Sequence, residues 1–144
     1  QQVLPISLET AWEFFANPQN LAKLTPDWMG WSMEGSPPQK MYEGMLMTQK
    51  LRPLFGIPLT WVTEITHIEE KSYFIDEQRI GPYKFWQHEH RLRETIAGTV
   101  LIDQLDYALP YGFLGRIVHE LTVKEKITDV FQYRYLALEK LFHS

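Results

Sequence analysis

Cysteine is absent from all 144 residues, which removes disulfides, thiolate metal sites and cysteine nucleophiles together. That absence suits a reducing compartment, and cytoplasm is the default expectation. No apolar run approaches the roughly 18 residues a membrane helix needs, so no transmembrane segment is expected, and the opening Gln1-Gln2-Val3-Leu4-Pro5 lacks the pattern of a signal peptide. The chain begins without an initiator Met, and its first strand reads as short, as if leading residues were missing. Positive charge is also scarce: 14 Lys and Arg stand against 18 Asp and Glu, for a formal net charge of -4. With no basic cluster, nucleic acid is not an expected partner. Walker sequence, dinucleotide fingerprint and Ser/His/Asp order are all missing, so no cofactor is expected.

Aromatic residues, by contrast, are plentiful at 14% (5 Trp, 7 Tyr, 8 Phe). Either a large aromatic core or the walls of a ligand space would use them. The length suits one domain spanning residues 1–144.

The element order follows from local patterns. Gln2 to Leu4 reads as a strand. Ser7 is a plausible N-cap for a helix to Ala16, with Leu8, Ala11, Trp12, Phe14 and Phe15 at helical spacing. Asn17-Pro18 breaks it, and Pro18 suits the first turn of a second short helix through Leu24. Met33 to Pro38 reads as a loop. Strands are then expected at Glu43 to Arg52, Ile57 to Ile68, Tyr73 to Arg79, Tyr83 to Glu94 and Thr99 to Leu109, separated by turns at Pro53-Leu54-Phe55-Gly56, Glu69 to Ser72, Gly81-Pro82 and Ala97-Gly98. Short turns between consecutive strands predict an antiparallel meander. Pro110 to Gly115 ends the last strand and hands over to a helix of about 28 residues, roughly 42 Å long. Its expected buried stripe is Ile117, Leu121, Thr128, Phe131, Tyr135, Leu138 and Phe142, supported by Val118, Ile127, Val130 and Leu141. Lys124 interrupts that stripe, so its turn is expected to face water or a wet cavity. Sheet plus long helix is an α+β, two-layer design.

Within the strand after Gly81-Pro82, alternation puts Trp86, His88 and His90 on one face and Phe85, Gln87, Glu89 and Arg91 on the other. An aromatic ring and two imidazoles in a row suit the wall of a mostly apolar pocket with a few placed polar groups. His88-x-His90 can also bring two imidazoles to one zinc, but a site needs a third protein ligand. Only Glu64, His67, Asp76 and Asp103 offer one, and nothing in the sequence brings them within reach. A hydrogen-bonded pair without metal is therefore the expectation. Asp76 shares a strand face with Gln78, and Asp103 shares one with Tyr107. A carboxylate beside His88 or His90 would set the imidazole tautomer and make a proton-transfer pair; equally, these groups can satisfy one another and pin strand register. Trp12 is better explained by core packing. Met29, Met33, Met41, Met45 and Met47 crowd one stretch, suiting either an adaptable apolar surface or a core.

Strand, two short helices, curved antiparallel sheet and long C-terminal helix is the order of the helix-grip fold. With Val3-Leu4-Pro5-Ile6, Ala11-Trp12-Glu13-Phe14-Phe15, Asn20-Leu21, Asp76 to Tyr83, Trp86 to His90, and Asp103-Gln104-Leu105-Asp106-Tyr107 running to Pro110-Tyr111-Gly112, the whole chain resembles the START-like superfamily, also called SRPBCC. Its members include polyketide cyclase/dehydrase-like proteins and birch-pollen-allergen-like lipid and hormone carriers, and the small bacterial ligand-binding branch is the nearest in texture. The resemblance implies a curved antiparallel sheet wrapped around the C-terminal helix, with a cavity between them for a small hydrophobic molecule. It leaves carrier and enzyme open. The candidate ligand-binding set is Trp61, Phe74, Asp76, Gln78, Trp86, His88, His90, Tyr107, Phe131 and Tyr135. His88, His90, Asp76 and Asp103 are candidate catalytic groups, should the protein be a cyclase, dehydratase or isomerase. A third possibility is a protein-interaction module built on the Met-rich hairpin and the Tyr111-Gly112-Phe113 loop, which would show an exposed apolar patch and no sizeable cavity.

Overall fold

The computed structural model describes residues 1–52 and 56–143. Among them seven strands form one antiparallel sheet: β1 (Gln2–Leu4), β2 (Ser32–Met33), β3 (Leu46–Leu51), β4 (Leu59–Glu69), β5 (Tyr73–Ile80), β6 (Phe85–Thr95) and β7 (Gly98–Ala108). Their spatial order is β1-β7-β6-β5-β4-β3-β2, the expected meander with the first strand added beside the last. The register shifts twice between β4 and β5, at Val62/Thr63 and at Ile65/His67. Such irregularities bend a sheet. The arrangement is α+β and matches the helix-grip fold.

Ser7 caps the first helix, α1 (Leu8–Phe15), its hydroxyl accepting from the Thr10 backbone N–H at 3.1 Å. The second short helix, Pro18–Leu24, is a 3-10 helix rather than an α-helix, and a further 3-10 turn follows at Asp27–Met29. The Met33 to Pro38 loop is entered from the two-residue strand β2, too short to carry a periodic signal. The strand expected from Glu43 begins only at Leu46, because Gly44 adopts a left-handed φ of 86° in the preceding turn. Most of the Pro53 to Gly56 turn lies outside the described residues. Gly98, with φ of 123°, closes the two-residue hairpin loop between β6 and β7; a Cβ there would collide with the carbonyl oxygen of Leu4.

The C-terminal helix is a continuous run of 31 residues: α2 (Gly112–Val118), a π turn (His119–Val123) and α3 (Lys124–Phe142). It starts earlier than the glycines suggest, since Gly115 sits inside it, where a Cβ would strike the carbonyl oxygen of Pro110. The expected stripe holds at Phe131, Leu138 and Phe142, with the supporting Ile127 and Val130, and fails elsewhere. Ile117, Leu121, Thr128 and Tyr135 are exposed, and the residues turned inward are Val123, Ile127, Val130, Phe131, Arg134 and Leu138. The π turn adds a residue to one turn of helix and so rotates everything after it relative to a single 3.6-residue period. Lys124 is exposed, as its place in the stripe suggested. No helix is long and apolar enough to cross a membrane among the described residues.

The core joins Leu4, Ala11, Trp12, Phe15, Met45, Met47, Ile65, Phe74, Leu92, Leu101 and Leu138. Trp12 lies edge-on to Phe74 with ring centroids 6.2 Å apart. The core therefore fills one end of the sheet–helix space, around β1, α1 and the end of α3.

Candidate functional site

The other part of that space is hollow. A cavity of about 490 Å³ lies between the sheet, the two 3-10 segments and α3, within the size range of small-molecule sites. Its walls are mostly apolar, Met29, Met41 and Met47 among them. The exposed lining residues Trp28, Ile57 and Lys126 mark where it meets solvent, and the Lys126 ammonium lies over the Trp28 ring, 4.8 Å from its centroid.

Strand β6 contributes Trp86, His88 and His90 to this wall, as alternation requires. Trp86 packs edge-on to Trp61 at 5.0 Å and against Tyr83 at 4.7 Å. Burial pushes the Tyr83 phenol up to about 12, with Tyr107 adding to the shift.

Two residues along the same face the chemistry changes. Asp76 on β5 is the direct cross-strand partner of His88, and Asp103 on β7 is the partner of His90. The contacts cross diagonally: His90 Nε2 lies 2.6 Å from Asp76 Oδ2, and His88 Nε2 lies 2.9 Å from Asp103 Oδ1. Both imidazoles are buried, their ring centroids 3.7 Å apart, and His90 stacks on Phe74 at 4.2 Å. Arg134 of α3 completes the group, its guanidinium 3.3 Å from His90 Nδ1 and 3.6 Å from Asp103 Oδ1. With His90 neutral and donating to Asp76, Nδ1 accepts from Arg134; with His90 charged, Nδ1–H turns instead to Asp103 Oδ1 at 3.3 Å.

Burial and charge compete at each of these groups. For Asp103, burial would raise the carboxyl, but the Arg134 charge and the hydrogen bonds from His88 and His90 hold it well below the ordinary carboxylate value. Burial likewise opposes ionisation of Asp76, and the hydrogen bond and charge of His90 outweigh it, so Asp76 is also lowered. His88 moves down, through burial and the neighbouring His90 charge. His90 moves up despite burial, because Asp103 and Asp76 both hold its proton. The two imidazoles are thus shifted in opposite directions.

Of the residues singled out in the sequence, Trp61, Phe74, Asp76, Trp86, His88, His90 and Phe131 line the cavity. Three do not. Gln78 braces the β5–β6 turn instead, donating to the Tyr83 carbonyl at 2.8 Å and accepting from the Tyr83 N–H at 3.1 Å. Tyr107 faces the helix and hydrogen-bonds His119. Tyr135 is exposed and, with Asp103 and Tyr107, borders a second, more open groove on the β7 side of α3. Glu64 pairs with Arg79, and His67 contacts Thr66, so neither joins the histidines. Sequence reasoning missed Arg134. Its signal was a charge at helical spacing inside an apolar face, seven residues after Ile127 and four before Leu138. It also missed Gln49, which accepts from Trp31 Nε1 at 2.8 Å and donates to Thr63 Oγ1 at 3.1 Å in the cavity wall.

No protein-family model matches the chain, and no curated protein matches it. Solved structures do. Protein CV1439 from Chromobacterium violaceum superposes with a TM-score of 0.73 at 13% identity, covering 99% of this chain and 94% of that one. TTHA0849 from Thermus thermophilus gives 0.71 at 13% identity, covering 96% and 91%. Ara h 8.0201 gives 0.60 at 15% identity, covering 96% and 94%. At such identities the likeness is one of fold, and that fold is the helix grip.

Proposed function

We propose that this chain is a START-like (SRPBCC) domain that binds a small hydrophobic molecule, lipid- or polyketide-like, in the cavity between its sheet and C-terminal helix. The observation that carries the reading is the cavity itself: about 490 Å³, walled by Trp61, Phe74, Trp86 and Phe131 and ending at a buried polar group of Asp76, His88 and His90. Apolar burial at about 25 cal/mol per Å² supplies the affinity, and the polar end orients the bound molecule. Trp86 takes part only in the aromatic wall, so Trp86→Ala tests the reading directly. Displacement of anilinonaphthalene sulfonate should show at least about tenfold weaker binding, a loss of 1.4 kcal/mol, with the circular dichroism of the fold retained. Unchanged affinity in a folded variant would remove Trp86 from the site.

A second reading, a cyclase, dehydratase or isomerase, is favoured by one specific feature. A buried imidazole in contact with a carboxylate faces the ligand space, as a proton-transfer pair must. Under that reading His88→Ala loses turnover more than binding. An interaction module is supported less: Tyr111, Phe113, Leu114 and Leu121 are exposed, but a module of that kind has no use for the cavity.

A further inference from the structure

We propose that Asp76, His88 and His90 form a binding site for one divalent first-row transition ion, zinc being the simplest occupant, at the polar end of the cavity. One ligand atom from each residue lies within 4.8 Å of the other two. Asp76 Oδ2 is 2.6 Å from His90 Nε2 and 4.0 Å from His88 Nδ1. Zinc holds nitrogen and oxygen ligands at about 2.0–2.1 Å, which puts tetrahedral neighbours about 3.3 Å apart, between those two distances. An ion would take the place of the proton shared by Asp76 and His90, the pair separating by less than about 1 Å.

The opposite nitrogens make the stronger argument. His88 Nε2 and His90 Nδ1 lie 2.9 and 3.3 Å from the same oxygen, Asp103 Oδ1. A carboxylate on the far nitrogen is the contact that orients metal-ligating imidazoles, and here one carboxylate serves both rings. Arg134 sits on that outer side and offsets the Asp103 charge. The ligands come from β5 and β6, and the outer carboxylate from β7, three adjacent strands whose pairing sets their spacing. Asp76, His88 and His90 line the cavity and Asp103 does not. Three protein ligands with their remaining side toward a cavity are the pattern of a site that takes a further ligand, unlike a closed structural site. Two imidazoles and one carboxylate favour zinc or a neighbouring transition ion over calcium and magnesium, which prefer all-oxygen shells.

The test is read without any organic ligand, so it stands or falls separately from the cavity's binding role. Untagged, chelator-stripped protein is titrated with Zn²⁺ by calorimetry and with Co²⁺ by visible absorption. One equivalent should bind with a Kd on the order of 10 µM or tighter. His88→Gln and Asp76→Asn should each weaken it by about 100-fold, and Asp103→Asn by about 10–100-fold. Because substitutions in a buried cluster can unfold the chain, wild-type protein carries a second readout: Co²⁺ should broaden the amide signals of residues 76, 88 and 90 first. No saturable binding, an unchanged Kd in folded His88→Gln, or broadening centred on the surface pairs of His119 with Glu120 or His143 with Glu139 would overturn the assignment.

Discussion

The aromatic and ionic ends of the site meet on strand β6, yet they are built on opposite principles. Around Trp86 the rings of Trp61 and Tyr83 stand at centroid separations of 5.0 and 4.7 Å in edge-on and tilted arrangements. Such contacts are tolerant of small shifts, so a wall made this way can adapt to its occupant. Two residues on, His88, His90, Asp76, Asp103 and Arg134 are tied by directional contacts of 2.6 to 3.6 Å. Losing one partner there leaves a buried charge unanswered. The comparison teaches that one end of the cavity can vary while the other must hold its geometry.

The sharpest way to break that contrast is Asp103→Ala. It leaves Arg134 and both imidazoles without their common partner, and should destabilise the fold by about 3–5 kcal/mol in urea unfolding at neutral pH; a loss below about 1 kcal/mol would mean the ionic end is loosely held.

Tyr83 probes the aromatic end. Its phenol is raised by burial to about 12, so the folded state keeps the proton that the unfolded chain releases near pH 10. Folding stability from this group is complete below about pH 10 and falls as pH rises toward about 12, by on the order of 2 kcal/mol. Tyr83→Phe should flatten that part of the pH–stability curve, and an unaltered curve would refute the assignment. Smallest is Gln78→Ala. It removes two hydrogen bonds from the β5–β6 turn and should cost about 1–2 kcal/mol while leaving probe affinity unchanged; weaker binding would return Gln78 to the cavity.

Much of the fold was legible in short-range pattern. Ser7, Gly98 and the alternation in β4 to β7 each act through neighbours in sequence, and the structure has those elements within two residues of the expected bounds. The C-terminal helix was legible in extent but only partly in facing: Phe131, Leu138 and Phe142 turn inward as expected, whereas Ile117 and Leu121, before or within the π turn that changes the period, do not. Of the 3-10 segments, Pro18–Leu24 was legible through the Asn17-Pro18 start signal, whereas Asp27–Met29 carries too few residues for any period to appear. At the site, Gln78 and Tyr107 lie on inward-reading positions, yet a turn backbone and His119 claim their polar atoms.

By itself the sequence determined that Trp86, His88 and His90 look the same way, since side chains on a strand alternate whatever surrounds them. Only the tertiary structure decided that Asp76 and Asp103 meet those imidazoles from either side and that Arg134 joins them from α3. Those meetings depend on strand register and helix rotation, and both are settled by packing across the whole domain rather than by adjacent residues.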